Sequence, residues 1–476
     1  MKRLIYSILA IVLFLGFSTS CSEDDLDPSL EQNKSLESVS NQADLKGLVN
    51  GIMNKMQSQY YYGRDFVIFG EIMADNTYAN GSSGRFLEPS EMTFGISDAY
   101  PRDTWTQIYD VIASANLVLS KDPSEIEGDE AQIKNFMGQA LTIRALAHFD
   151  LLKFFGQQHV DGSNLGIPYN TSYTGFLSEF SEEDYHPARL TVSEVKEKLY
   201  KDLNNAIDYF PGGNTDVFYP TQYAAKAIKS RIALYFGDYT KAKNAAEDVV
   251  NSRAYEIVPE EKYPGYWLSG KGPNSILELK NTSTDNAGIN GLAYMYKGNS
   301  YGDVEVNEDF AAVFDSSDVR LTGETEVAGV TVNMIGGGAQ RPDFLYNNGK
   351  FPDIIDFADN FPLVRYEEVV LNYAESLLET GNQGKALTWL NKIPNKRGVS
   401  PYSSVNKDSI LLERRKELAF EGFRYHDLLR NDRNIPANGS YANSHSELSY
   451  GNWKLAFPIP ETEMESNKNI TQNEGY

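Results

Sequence analysis

Aromatic rings and hydrogen-bonding side chains crowd into two stretches of this 476-residue sequence. The first holds Asp75, Asn76, Tyr78, Arg85 and Phe86, and the second holds Tyr263, Tyr266, Trp267, Tyr294, Tyr296 and Tyr301. Flat rings with a polar edge suit amphipathic contacts with sugar rings, and aromatics make up 12% of the chain, 30 of them Tyr. Both stretches lie in segments with little periodicity, about 60–102 and about 254–359, rich in Gly, Asn, Asp, Tyr and Pro. Irregular segments this long inside a compact domain are usually functional, so a site is expected there and not in the helices.

Bond-breaking chemistry finds little support. There is no HExxH, no GxSxG, no phosphate-cradling Gly-rich loop and no thiol nucleophile. The histidines His148, His159, His186, His426 and His445 are scattered, and His148 and His426 fall inside helical patterns, where core residues are commoner than ligands. A glycosidase needs two spaced carboxylates, but 66 acidic residues always offer a pair. Asp-rich loops such as Asp315 to Asp318 are too common to indicate calcium. Neither enzyme activity, cofactor nor metal is therefore expected. A net charge of −23 disfavours nucleic acid, anionic lipid surfaces and strongly acidic polysaccharides.

Those stretches need a framework and an address. Lys2 and Arg3 precede an apolar run from Leu4 to Phe17, then Ser18, Thr19 and Ser20 lead to Cys21, the only cysteine. Residues 1–20 thus read as a secretory signal, too short and wrongly flanked for a membrane span. Cleavage before Cys is the pattern of a bacterial lipoprotein, with lipidation at Cys21, although Ser18 stands where an aliphatic residue is usual. Residues 21–44 are polar and acidic and read as a flexible tether. The domain is expected from 45 to 476, with an N-terminal part about 45–225 and a C-terminal part about 270–476.

Helical spacing dominates that domain. Leu45, Leu48, Val49, Ile52, Met53 and Met56 share one face; Trp105 to Leu119 and Phe136 to Leu151 predict a helical hairpin; Thr191 caps another helix. The stretch from Ala224 to Val250, with a turn at Gly237, looks like a tetratricopeptide unit, and its register recurs from Val369 with a turn at Gly381-Asn382. Ser275 to Leu279 is strand-like. The fold class is mainly α, with helical hairpins interrupted by long loops and a few short strands.

Several blocks resemble one family. LLERRKELAFEGFRYHDLLR from Leu411 fits the ER..EL.FEG.R..DL.R helix of the SusD-like (RagB/SusD) nutrient-binding lipoproteins. The closing AFPIPETEMESNKNITQNEGY matches their PIP..E and QN.GY endings, with Glu474 where Pro is common; RALAHFDLLKFFG and LVRYEEVVLNYAESL give weaker support. In the block after Leu411, Glu413, Glu417, Glu421 and Arg424 are expected on neighbouring turns, pairing with other helices, while Leu418 and Phe420 enter the core.

The resemblance implies a cell-surface, lipid-anchored outer-membrane protein of the Bacteroides and Flavobacterium phylum. It would hold a glycan for a SusC-like, TonB-dependent transporter of a polysaccharide-utilisation system. A sugar ring is then expected to stack on Trp267 and one or more of Tyr294, Tyr296 and Tyr301, with Asp75, Asn76, Tyr78, Arg85 and Phe86 beside it. Each residue has a second reading. Trp267 fits loop packing, the three tyrosines fit a strand burying one face, and Asp75-Asn76 fits a turn. The charge favours a neutral glycan, such as a β-glucan or fructan. A surface glycoside hydrolase and a tetratricopeptide-type protein-binding scaffold remain the alternatives.

Overall fold

The computed structural model describes residues 39–173, 181–212, 216–338, 340–439 and 443–476; the signal 1–20, Cys21 and most of the tether lie outside the described residues. The fold is mainly α. Helix α1 (Gln42–Met56) buries Leu45, Val49, Ile52, Met53 and Met56, the spacing its sequence carries, and the Asn41 side chain accepts from the Ala43 and Asp44 amides at its start. Val39 is already buried, and the Gln42 amide bonds to the Glu127 carbonyl, so packed structure begins ahead of Leu45.

The longer helices that follow are α2 (Asp65–Ile72), α3 (Ala99–Leu119), α4 (Glu130–Phe155), α5 (Val192–Tyr209) and α6 (Gln222–Tyr235). α3 and α4 pack together as the spacing predicts. His148 on α4 is a core residue: it stacks on Tyr169 at 3.7 Å, Nδ1 donates to the Arg144 carbonyl, and Nε2 accepts from the Asn170 amide. Burial pushes its pKa down to about 3, so it is neutral. Thr191 caps α5 in a reciprocal box, its Oγ1 accepting from the Glu194 amide while Glu194 Oε2 accepts from the Thr191 amide at 2.8 Å. Thr191→Ala is expected to destabilise the protein by about 1 kcal/mol and Thr191→Ser by much less, read as denaturation midpoints.

The chain continues through α7 (Tyr239–Ser252), the short α8 (Tyr263–Ser269) and α9 (Leu292–Tyr296), then α10 (Tyr366–Glu379), α11 (Gln383–Leu390), α12 (Lys407–Glu417) and α13 (Arg424–Leu429). Gly237 (φ +69°) and Gly381 (φ +81°) turn the two tetratricopeptide-like hairpins α6–α7 and α10–α11. Those hairpins are remote in sequence, yet α7 packs on α10. Arg231 forms a two-pronged pair with Glu368 at 2.6 Å, and the Tyr373 hydroxyl donates to Glu247 at 2.7 Å. The intervening irregular segment is thus an excursion from a continuous helical array. One hydrophobic core runs through both expected parts of the domain, from Val39 to Ile470.

The block from Leu411 is not one helix. α12 ends at Glu417, Phe420 (φ +68°) and Gly422 (φ +83°) reverse the chain, and α13 starts at Arg424. Gly422 suits the reversal by its left-handed φ, and Gly70 of α2 must be glycine beside it, because a Cβ on Gly70 would lie 2.3 Å from the Gly422 carbonyl oxygen. Leu418 and Phe420 do enter the core. The acids pair outward to other elements: Glu417 accepts from Arg320, Arg365 and Arg397, while Glu421, sitting in the turn, accepts from Lys350 and Arg365.

Among the described residues there are four two-stranded antiparallel sheets, built from β1 (Thr77–Ala79), β2 (Ser275–Leu279), β3 (Val304–Val306), β4 (Glu324–Val327), β5 (Val330–Asn333), β6 (Ile335–Gly337), β7 (Leu345–Asn347) and β8 (Phe361–Arg365). Two of them matter for function. β1 pairs with β3, Tyr78 opposite Glu305, which clamps the first irregular segment onto the second. β2 pairs with β8, Leu279 opposite Phe361, and closes the second segment back on itself.

Candidate functional site

The β1–β3 pairing sets Arg85 against Tyr301. The Arg85 guanidinium lies over the Tyr301 ring at 4.4 Å and contacts Asp303 at 3.4 Å. Tyr301 meets Tyr294 of α9 edge-on at 5.1 Å and 87°, and Tyr294 meets Phe357 at 5.5 Å and 60°. Tyr294, Tyr301 and Phe357 are all half-buried. Their rings therefore present faces in different directions along one surface, not a flat row.

A turn holds Phe357 in place at a left-handed φ of +56°. Asp353 accepts from the amides of Ile355, Asp356 and Ala358 at 2.9–3.0 Å, and Asp359 accepts from the Asp353 amide at 2.7 Å. Partial burial raises the Asp353 pKa, but those amides win and hold it below the usual carboxylate value. Burial pushes the Asp359 carboxyl upward and pushes the nearby Lys297 ammonium downward. Phe357 also helps line a half-open slot of about 40 Å³, with Leu279, Leu292, Phe351 and Phe361 among its apolar lining residues.

Comparison with known proteins assigns this architecture. Residues 25–234 match a family described as "Starch-binding associating with outer membrane", and residues 347–476 match the SusD family. A SusD-like protein, P2, from Formosa agariphila is 24% identical over 91% of this chain and 92% of its own. The chain belongs to the SusD family. A solved putative sugar binding protein from Bacteroides vulgatus, 27% identical, superposes with a TM-score of 0.80 over 92% of this SusD-family chain and 99% of its own. A structure described as a laminarin binding SusD-like protein, 22% identical, shares the fold with a TM-score of 0.71 over 92% and 100% of the two chains.

Measured against this face of the SusD-family chain, the expected site residues divide. Arg85, Tyr294 and Tyr301 come together. Trp267 does not: it is 5% exposed, packed edge-on against Tyr263, Tyr266 and Phe351 with the Lys350 ammonium 4.8 Å over its ring. Tyr263 and Tyr266 are buried with it. Tyr296 is also core, because α9 is a helix, and two residues apart on a helix point to nearly opposite sides. Phe86 is fully buried, stacked on Tyr100 at 5.5 Å.

The polar expectations shift similarly. The Tyr78 hydroxyl is buried and donates to Glu305. Asn76 is buried, donating to Glu71 and accepting from Arg415, and Asp75 forms a two-pronged pair with Arg424 plus a 2.9 Å contact to Arg415. Asp75 and Asn76 are thus structural anchors for the family's α12–α13 block. Asp318, in the Asp-rich loop, is taken by Arg320 at 2.7 Å, and no acid or histidine cluster suited to a metal occurs among the described residues. Phe357 was missed. Its signal was the run of Asp residues around it, which reads as turn chemistry that can present a ring.

Proposed function

We propose that this SusD-family chain captures a neutral poly- or oligosaccharide at the cell surface and passes it to a SusC-like, TonB-dependent outer-membrane transporter. The observation that carries the reading is the Arg85–Tyr301–Tyr294–Phe357 chain of contacts, in which each of three half-buried rings and the guanidinium over Tyr301 meets the next. Ring faces bury the apolar faces of a sugar, and the guanidinium donates to its hydroxyls. The sugar-binding and laminarin-binding descriptions of structural relatives point to the same ligand class. Family membership supports the transporter partner and the outer-membrane address. In this reading residues 1–20 are the signal, Cys21 carries the lipid, and the polar, acidic stretch that follows is the tether.

One observation favours a second reading, a surface glycoside hydrolase. Asp353 and Asp359 share the slot, and their pKa values are pushed in opposite directions. Both carboxylates accept amides of their own turn, however, which fits a presenting role for them. The test is a calorimetric and affinity-gel screen of the chain truncated after Cys21 against neutral and acidic polysaccharides, with reducing ends assayed in parallel. Saturable binding to a neutral polymer without new reducing ends is expected. Release of reducing ends would establish the hydrolase, and binding of protein but no glycan would establish a tetratricopeptide-type scaffold.

A further inference from the structure

Two guanidinium groups reach the Tyr301 end of the face, and each has a buried acid beside it. The Arg85 side chain is 29% exposed and contacts Asp303, itself 1% exposed, at 3.4 Å. The Arg341 side chain is 39% exposed and stands 4.0 Å from Glu305, itself 4% exposed. Asp303 lies just ahead of β3 and Glu305 within it. Asn80 ties both to the Tyr301 loop: its amide donates to the Asp303 carbonyl, and its Nδ2 donates to Glu305 Oε1 and to the Gly302 carbonyl, both at 2.7 Å.

The two acids are held differently. Glu305 also accepts from the Tyr78 and Tyr346 hydroxyls, so the fold itself occupies its oxygens. Asp303 has only long side-chain contacts, to Arg85 at 3.4 Å and to the Ser82 hydroxyl at 3.5 Å. At that length Asp303 acts on Arg85 chiefly as a charge. A sugar lying on Tyr301 meets the exposed part of Arg85, and its hydroxyls can accept from the guanidinium. A sugar carboxylate in the same place would share that guanidinium with Asp303, two like charges on one cation at a surface that screens them only partly. The chain's net charge of −23 adds to the repulsion.

Resting on the reading of this face as a glycan site, we propose that Asp303 is its charge-selectivity residue, neutralising Arg85 so that the face takes uncharged sugars and rejects uronic acids. Arg85 supplies the contact with the ligand, and Asp303 supplies the discrimination without touching it. Removing the charge at Asp303 leaves Arg85 able to pair with a ligand carboxylate, which turns the same face toward uronates.

The experiment titrates the chain without residues 1–21 with cellohexaose and laminarihexaose, each paired with the same oligosaccharide after oxidation of its primary alcohols to carboxylates. The unaltered chain is expected to bind the neutral member of one pair or both at least tenfold more tightly than its carboxylate counterpart. Asp303→Asn should shrink that ratio at least tenfold, and adding Arg85→Gln should restore it. Because both sugars are measured on the same variant, a general loosening of the fold does not move the ratio. Ser82→Lys, at an exposed loop position, should shrink the ratio as well and needs no change in the buried acid, so it decides the matter if Asp303→Asn does not fold. Asp122→Asn is the control: Phe86 stacks on Tyr100 at the start of α3, whereas Asp122 follows its far end, about 30 Å away at 1.5 Å per residue, and the ratio should stay within twofold. Equal affinity within a pair for the unaltered chain, or a ratio that Asp303→Asn and Ser82→Lys both leave unchanged, overturns the role of Asp303 and leaves the glycan reading standing. An equal shift in Asp122→Asn overturns it too, because the discrimination would then belong to the charge of the whole chain. Failure of every sugar to bind overturns it as well, and if the polysaccharide screen is also blank the glycan reading falls with it.

Discussion

Replacing Glu417 by Ala is expected to cost the fold about 3–5 kcal/mol, the range for removing one partner of a buried ion pair. Its carboxylate is fully buried and accepts from three guanidinium groups: Arg397 at 2.8 and 2.9 Å, Arg365 at 2.7 Å and Arg320 at 3.0 Å. Burial raises its pKa, but Arg397 and Arg365 outweigh that and hold the group well below the usual carboxylate value. Deleting it leaves three buried cations short of a counter-charge, from elements as far apart in sequence as Arg320 and Arg397. Glu417→Gln keeps the shape and loses the charge, so it should recover only a small part of the loss. Urea denaturation, comparing midpoints at constant slope, measures both. A loss under 1 kcal/mol for Glu417→Ala would contradict this view of the network.

Trp267→Ala is the second large effect, about 3–5 kcal/mol of stability lost, as for other buried Trp truncations. The indole fills the space between Tyr263, Tyr266 and Phe351, and its Nε1 has no hydrogen-bond partner in the fold, so the loss is one of packing. Glycan affinity of the folded fraction should be unchanged within about twofold, since the ring does not reach the surface. A stable variant with weakened glycan binding would restore Trp267 as a stacking platform and would displace the Tyr294 face from its role.

The scaffold was legible because helices announce themselves by apolar spacing and caps. Leu45 to Met56, Thr191 and the turns at Gly237 and Gly381 all stand where the spacing puts them. The family block from Leu411 was legible as charge pairing but not as shape. Charge patterns at helical spacing run through the Phe420–Gly422 turn without a break, whereas the left-handed backbone of those two residues reverses the chain there.

The site was less legible, for physical reasons. Trp267 sits in a Gly-rich stretch that reads as exposed loop, yet seven residues form α8 and turn the indole beneath Lys350. Tyr294 and Tyr296 alternate as in a strand but lie on a helix, so one faces out and the other in. Asp75, Asn76 and Tyr78 carry the right polar groups, but their partners Arg415, Arg424 and Glu305 come from distant segments. Phe357 belongs to no periodic pattern, and its place beside Tyr294 is set by tertiary pairing of β2 with β8.

The most direct test of the central claim is calorimetric titration of the Tyr294→Ala/Tyr301→Ala double variant with whichever neutral glycan the unaltered chain binds best. Each ring is a surface anchor whose loss is expected to cost about 2 kcal/mol of binding, so the pair should weaken affinity by more than a hundredfold with little change in thermal midpoint. Unchanged affinity in a correctly folded double variant would contradict the account and place glycan capture elsewhere on the protein.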